Sequence, residues 1–268
     1  MILVTGATGQ LGSAILQHLR ATGSDAIGSS RSGADGMRRI DLDDPATISF
    51  VGVDTLVLVS AGEAEDDVVT ARHDAAITAA ERDGVGHVVY TSVATGGDHL
   101  AFALAHRWTE RRLARSGVPS TVLRNGLYAE LFGALLTWRG SRLESAFGDG
   151  ALAAVARGDL AEAAAVVARA PRDHAGRRYD LVGPAITAAE VAERVGAPLD
   201  RIDLAARRAS YADAGMKPFQ PAMLMSIHTA VRHGFLAGSS GDLVMLLGRA
   251  PADGVQVAAE VATALRPA

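Results

Sequence analysis

The sequence predicts an α/β fold built on a doubly wound parallel sheet. Three observations carry this expectation. Residues Thr5 to Gly12 read Thr-Gly-Ala-Thr-Gly-Gln-Leu-Gly directly behind the apolar run Met1-Ile2-Leu3-Val4, which is a strand, a glycine turn and a helix start in that order. Strand-like and helix-like segments then alternate, the pattern of βαβ units with right-handed crossovers. Finally, Thr55-Leu56-Val57-Leu58-Val59-Ser60 is an apolar run without alternation, the mark of a strand buried on both faces.

The glycine turn is the most informative element. Gly6 permits the tight turn out of the first strand, Gly9 lets a pyrophosphate approach the backbone, and Gly12 lets the helix pack closely on the strand. Thr8, Gln10 and Leu11 lie between these glycines and border the same phosphates. The helix that follows carries Leu11, Ala14, Ile15 and Leu19 on one face, at the 3.6-residue period. Its N-terminal amides and dipole face an anion. The motif therefore predicts a dinucleotide site, the alternative being a purely structural glycine turn.

The next elements follow in order. Residues 25–30 and 37–42 read as short strands. Asp43-Asp44-Pro45 reads as a helix start, with proline early and an acidic cap. After the buried strand at 55–60 come a helix at 68–82, a strand at 87–91, a helix at 101–116 and a strand at 120–124. Beyond residue 125 the pattern loosens. Helices are expected at 129–139, 160–170, 187–195 and 221–235, and short strands at 178–182 and 201–204. Met216, Phe219, Met223, Met225 and Phe235 cluster here; such a stripe is either core or, in part, the wall of an apolar ligand pocket.

The second strand ends Ser29-Ser30-Arg31. A site for NAD usually places an acid here to hold the ribose 2′-hydroxyl. Arg31 is either a solvated surface arginine or a ligand for a 2′-phosphate, and the flanking hydroxyls favour the phosphate. NADPH is accordingly the expected cofactor. Asp41, after the third strand, borders the adenine or caps the next turn.

Composition excludes several function classes. There is no cysteine among the 268 residues, hence no disulfide, no thiol catalysis and no cysteine zinc site, which fits a cytoplasmic protein. No apolar run approaches the roughly 18 residues of a membrane span, and no basic leader precedes the first strand. The net charge of −4, without a basic stripe, disfavours nucleic acid as a partner. His228 and His233 are five residues apart and share no helix face, so no metal is expected. No Gly-x-Ser-x-Gly elbow is present, which disfavours a serine hydrolase.

Several segments together resemble one family. The first motif, Tyr90-Thr91-Ser92, His106-Arg107-Trp108-Thr109-Glu110 and Leu123-Arg124-Asn125-Gly126-Leu127-Tyr128 are similar to the NmrA-like atypical short-chain dehydrogenases. The likeness is to the branch of type-2 quinone reductases and triphenylmethane-dye reductases. Gly148-Asp149-Gly150, Arg157 to Ala163 and Gly248-Arg249-Ala250-Pro251 extend it over nearly the whole chain. The resemblance implies a Rossmann core over residues 1–125. Residues 126–268 would then hold the remaining Rossmann elements, interleaved with a small C-terminal α/β lobe that binds substrate. It implies NADP(H) contacts at the glycine turn, at Arg31, near Ser60 and Ala61, and around Asn125 to Tyr128. A homodimer is compatible with it. Two departures bear on the substrate: Ala105 stands where glutamate is common, and Ile227-His228 where an acidic stretch is familiar.

Ordinary short-chain dehydrogenases use a tyrosine with a lysine four residues later. Lys217 is the only lysine, and Asp213 stands four before it, so that pair cannot exist. By helix alignment Phe102 stands at the tyrosine position and His106 at the lysine position, and Ser92 lies near the usual serine. The chemistry must therefore ask less of the protein. Quinones meet that condition, because hydride addition gives a delocalised hydroquinone anion, whereas an aliphatic ketone needs a stronger acid. A small, flat, apolar substrate held on the nicotinamide face is expected. His106 is expected to hold the nicotinamide ribose or to donate a proton, and Tyr128 to hydrogen-bond a substrate carbonyl or merely to pack. Trp108 reads as core. The leading expectation is an NADPH-dependent reductase of quinones or related conjugated carbonyls. The alternatives are a non-catalytic NAD(P)-binding redox sensor and a ketoreductase of aromatic polyketides.

Overall fold

A computed structural model describes residues 1–62, 64–212 and 214–267; Asp213 lies outside them. The chain opens with β1 (Ile2–Val4), α1 (Gln10–Ala21), β2 (Ala26–Ser30) and β3 (Arg38–Arg39). It continues through β4 (Thr55–Leu58), α2 (Asp66–Arg82), β5 (His87–Val93), α3 (Ala103–Arg115) and β6 (Ser120–Asn125). There the chain leaves the sheet. It runs through α4 (Ala129–Ala134), β7 (Thr137–Arg139), β8 (Arg142–Ser145) and β9 (Ala151–Ala153). It comes back as α5 (Arg157–Arg169) and β10 (Arg178–Leu181). The rest comprises β11 (Ala185–Thr187), α6 (Ala188–Arg194), β12 (Leu199–Arg201), α7 (Leu204–Ala212), α8 (Gln220–Arg232), α9 (Asp242–Leu247) and α10 (Gly254–Ala264).

Seven strands form one parallel sheet in the order β10-β6-β5-β4-β1-β2-β3. The expected Rossmann sheet is therefore present. Its strands are apolar without alternation because both faces are covered: every residue of β4 and β5 is buried. Helices α1 and α5 pack together on one face, with Ile15, Leu19, Leu160 and Val167 in a shared core. Helices α2 and α3 pack together on the other, over Leu56, Tyr90 and Leu113. The strand order reverses between β1 and β4, which opens a crevice at their C-terminal ends.

The smaller lobe uses elements that periodicity did not reveal. The helix expected over 129–139 stops at Ala134, and Thr137–Arg139 instead pairs antiparallel with β8. Gly140, at φ +58°, supplies the left-handed residue of the two-residue hairpin turn. Thr137 and Trp138 suit a strand, and the Trp138 indole donates to Ala262 O at 2.7 Å. Strand β12 joins β8 in parallel, so the expected strand at 201–204 begins and ends earlier and Leu204 opens α7. The third strand shrinks to Arg38–Arg39. The helix expected after Asp43 is one 3-10 turn, Pro45–Thr47, capped by Asp44 accepting from Ala46 N. Trp108 is half-buried and outside the core clusters. No helix among the described residues is long and apolar enough to cross a membrane.

Candidate active site

The crevice begins at the glycine turn. Gly6 has φ +59°, and Gly9 N donates to Gly6 O at 2.9 Å. Gly9 is the N-cap of α1 and no side chain caps the helix, so its first amides remain for an anion. A Cβ on Gly12 would stand 2.4 Å from Gly6 O; one on Gly9 would stand 3.3 Å from the same atom. Packing within the protein thus fixes the third glycine. The second is disfavoured only mildly from inside, and what it mainly preserves is room outside. Thr8 and Gln10 are exposed beside it, while Leu11 points into the core and reaches the crevice only through its backbone. Thr5 Oγ1 accepts from Val59 N at 2.9 Å and ties the tips of β1 and β4 together.

At one end of the crevice, Arg31 is exposed at the tip of β2. It makes no hydrogen bond or ion pair among the described residues, although its charge helps to hold the Asp43 carboxyl below its ordinary range, behind the larger effect of Arg72. Asp41 serves the turn: Oδ1 accepts from Asp43 N at 3.1 Å. The capping reading of Asp41 accounts for its geometry.

The Ser60–Ala61 segment is held from below by two residues that sequence reasoning passed over. Ala61 N donates to His73 Nε2 at 3.1 Å, and Arg72 donates to Ala61 O at 3.2 Å. Because a backbone amide can only donate, His73 carries its proton on Nδ1, which donates to Thr109 Oγ1 at 2.8 Å. Thr109 in turn donates to Ala105 O at 2.7 Å. Burial, with the charges of His106 and Arg72, pulls the His73 pKa to about 3, so the ring is neutral and its tautomer fixed.

His106 sits next to this chain of bonds. Its Nδ1 is 2.8 Å from Tyr90 Oη, and its ring meets Phe102 edge-on at 6.2 Å. Burial, followed by the positive charge of Arg107, pulls its pKa to about 4. Burial raises that of Tyr90. The expectation that His106 donates as an imidazolium near neutrality is therefore corrected: desolvation keeps the ring neutral. Nε2 makes no hydrogen bond among the described residues and is not sealed from solvent, which leaves it available to a ligand.

Ser92 is also reassigned. Its hydroxyl donates to Glu110 Oε1 at 2.6 Å, lies 3.2 Å from Arg107 Nη1 and is buried. It belongs to an ion network beneath the site instead of facing a substrate. Glu110 also receives Arg107 at 2.7 Å and both arms of Arg124. Burial opposes its ionisation, yet the bonds from Arg124 and Ser92 and the two arginine charges win and lower its pKa. Arg107 holds Val93 O at 2.9 Å and Ala94 O at 3.1 Å. The loop after β5 is thereby fixed.

Beyond β6, Asn125 Oδ1 is buried with no hydrogen-bond partner among the described residues, an acceptor awaiting a donor. Tyr128 is half-buried, with the Arg157 guanidinium 4.7 Å over its ring, and burial raises its pKa. The three expected catalytic residues thus come from three elements, and only His106 and Tyr128 keep a side chain open to a ligand. A cavity of about 250 Å³ lies at the C-terminal ends of β5, β6 and β10. The Met and Phe stripe does not line it: Met225 is core, and Phe235 is 48% exposed, its ring tilted against His99 with centroids 4.3 Å apart. A wider basin of about 840 Å³ lies around Gly148, Gly150 and Arg232. Its arginines are already engaged, Arg201 by Asp149 and Arg232 by Ala146 O and Ile202 O.

The unsatisfied helix N-terminus, the open side of Gly9 and the orphaned Asn125 acceptor fit a dinucleotide laid across the crevice. Comparison with known proteins agrees. Residues 2–103 match the NAD dependent epimerase/dehydratase family. The chain is 36% identical over 203 residues to quinone oxidoreductase 2 of Escherichia coli, covering 68% of each chain. Among solved structures it is similar to an NADPH-dependent quinone oxidoreductase of Escherichia coli complexed with NADPH (TM-score 0.85, 30% identity, 97% of this chain and 99% of that one). It is also similar to the Citrobacter sp. triphenylmethane reductase complexed with NADP(H) (TM-score 0.84, 28% identity, 99% of both chains).

Proposed function

The chain belongs to the NmrA-like atypical short-chain dehydrogenases, and on that premise we propose that it is an NADPH-dependent reductase of quinones or related conjugated carbonyl compounds. What supports this reading is the open glycine-turn crevice together with the place of the one lysine, Lys217, at the turn before α8; by helix alignment Phe102 and His106 would stand at the positions of the usual tyrosine and lysine.

NADPH, when bound, supplies a hydride to the quinone, and one proton from solvent completes the hydroquinone. The protein's part is binding and orientation. The glycine turn and the first amides of α1 hold the pyrophosphate. Arg31 pairs with the 2′-phosphate by charge-assisted hydrogen bonds. His73 and Arg72 fix the Ser60–Ala61 backbone, and Asn125 offers its buried acceptor to the nicotinamide end. His106, neutral and anchored by Tyr90, keeps Nε2 for a ribose hydroxyl or a substrate oxygen, and Tyr128 offers its phenol. Because a hydroquinone anion is delocalised, no strong acid is needed.

The test is NADPH oxidation followed with a one-ring and a two-ring quinone. Turnover of either supports the reductase. Tight NADPH binding with no turnover of any acceptor in the panel would sink it and favour a nucleotide sensor.

A further inference from the structure

The 250 Å³ cavity adjoins the candidate site along the chain itself. Gly126 and Leu127, which line it, directly follow Asn125 and precede Tyr128. Its walls are apolar, chiefly Val93, Leu100, Leu127, Leu152 and Leu236, with Ser239 and Ser240 at the margin. Asp180 borders it too, with each carboxylate oxygen already accepting one bond, Oδ1 from Thr95 N at 2.8 Å and Oδ2 from Thr95 Oγ1 at 2.5 Å. An apolar space with a few hydroxyls at one side suits a planar ring that carries oxygen.

The wall that follows β5 cannot give way easily. Arg107 holds the carbonyls of Val93 and Ala94, and Arg124 Nη1 holds Thr95 Oγ1 at 2.8 Å. Gly96 and Gly97 press the loop against its neighbours: a Cβ on Gly97 would stand 2.7 Å from Val93 Cγ2, and one on Gly96 2.8 Å from Phe235 O. Sites for drug-sized ligands span roughly 300–1,000 Å³, so this one is small. We infer that the cavity receives the ring of the hydride acceptor and limits it to one ring or two fused rings, excluding three aryl rings on one carbon. This rests on the reductase reading, which it refines.

Gly238 provides the probe. It lines the cavity at its exposed rim, and a Cβ there would meet nothing within 4 Å, so Gly238→Leu adds bulk at the cavity mouth without forcing the backbone. Two readouts are needed. Binding of 2-naphthol, a two-ring phenol that NADPH cannot reduce, is measured by calorimetry on the NADP⁺-loaded protein, with NADP⁺ affinity as the check on folding. Wild type should bind it, and Gly238→Leu should weaken it about tenfold or more, the scale of misplaced methylenes in a fitted pocket. Turnover is measured with 1,4-benzoquinone, 2-methyl-1,4-naphthoquinone and crystal violet. The variant should raise KM for the naphthoquinone about tenfold relative to benzoquinone, and wild type should not reduce the dye. Naphthol binding that is absent, or indifferent to Gly238→Leu, overturns the ring site. Reduction of crystal violet as efficient as that of the naphthoquinone overturns the size limit. Naphthol binding that responds to the variant, without turnover of any quinone, upholds the ring site and removes the reductase reading instead.

Discussion

Arg124 grips Glu110 with both arms, Nε to Oε1 at 3.0 Å and Nη2 to Oε2 at 2.6 Å. The pair joins β6 to α3. Through Ser92 and Arg107, which share Oε1, it also secures the end of β5. One carboxylate thus organises the two loops on which the expected nicotinamide contacts and the ring cavity depend.

Removing that carboxylate should be costly. Glu110→Ala strips the ion-pair partner from Arg124, whose side chain is only 20% exposed, and leaves Arg107, 19% exposed, with Asp98 alone. A loss of about 3–5 kcal/mol is expected, the scale for breaking a buried pair from one side. Urea denaturation of variant and wild type measures it. A loss below about 1 kcal/mol would reduce the network to the worth of a surface ion pair.

The same pair shows what the sequence disclosed and what it hid. The Rossmann sheet was legible because its strands are buried on both faces and its glycines occupy fixed places: Gly6 at positive φ and Gly12 against Gly6 O. The segments containing Glu110 and Arg124 were recognisable as motifs, but nothing in their spacing said that they are halves of one ion pair. For that reason the sequence alone puts Ser92 beside the catalytic residues, whereas its hydroxyl donates to Glu110. His73 was invisible because a histidine inside an ordinary amphipathic helix carries no signal until Ala61 N is seen to donate to it. The lobe was harder still. The β7–β8 hairpin hides in a stretch whose apolar residues also satisfy a helical period, and tertiary pairing decided between the two.

The glycine turn predicts two different failures. Gly12→Ala must push a methyl into Gly6 O and should destabilise the fold by about 1–3 kcal/mol, as overpacking does. Gly9→Val should stay folded and lose cofactor affinity, since its side chain would occupy the pyrophosphate's space. Thermal melts beside NADPH titrations separate the two. NADPH affinity retained in a folded Gly9→Val variant would remove the turn from the site.

Arg31 should decide between nucleotides. It has no protein partner to release among the described residues, so Arg31→Ala should weaken NADPH binding by about 1–3 kcal/mol, the worth of a charged hydrogen bond. NADH binding should change little. Equal losses for the two nucleotides would contradict the 2′-phosphate assignment.

Acid should unfold this protein earlier than its carboxylates alone would dictate. Burial holds His73 and His228 at about 3, and His87 and His106 at about 4, against 6.5 in the unfolded chain. Between those values and 6.5 the unfolded chain binds more protons than the folded one, so stability rises with pH through that window. The histidine contribution is complete above 6.5 and is lost as pH falls toward 4 and then 3. Urea midpoints should drop from neutral pH to about pH 5, and less steeply in His73→Gln. Midpoints that do not move over that range would mean that these rings are not held neutral.

The last expectation concerns proton delivery. His106 stands where a short-chain dehydrogenase keeps its lysine, yet its environment denies it a positive charge near neutrality. If it orients the nicotinamide ribose or the acceptor through a neutral Nε2, hydride transfer should survive its loss. His106→Ala should slow the chemical step by about ten- to a hundredfold, at or below the low end for a general acid. The wild-type rate should also show no inflection across the neutral range, because the imidazole stays neutral well below it. Were an imidazolium the donor, the rate would fall as pH rises through the histidine's own pKa. Single-turnover oxidation of NADPH by a quinone, followed across pH for both proteins, tests the two statements together. A step abolished in His106→Ala with cofactor binding intact, or a wild-type rate that decays above pH 6.5, would make His106 an essential acid and overturn the orientation role.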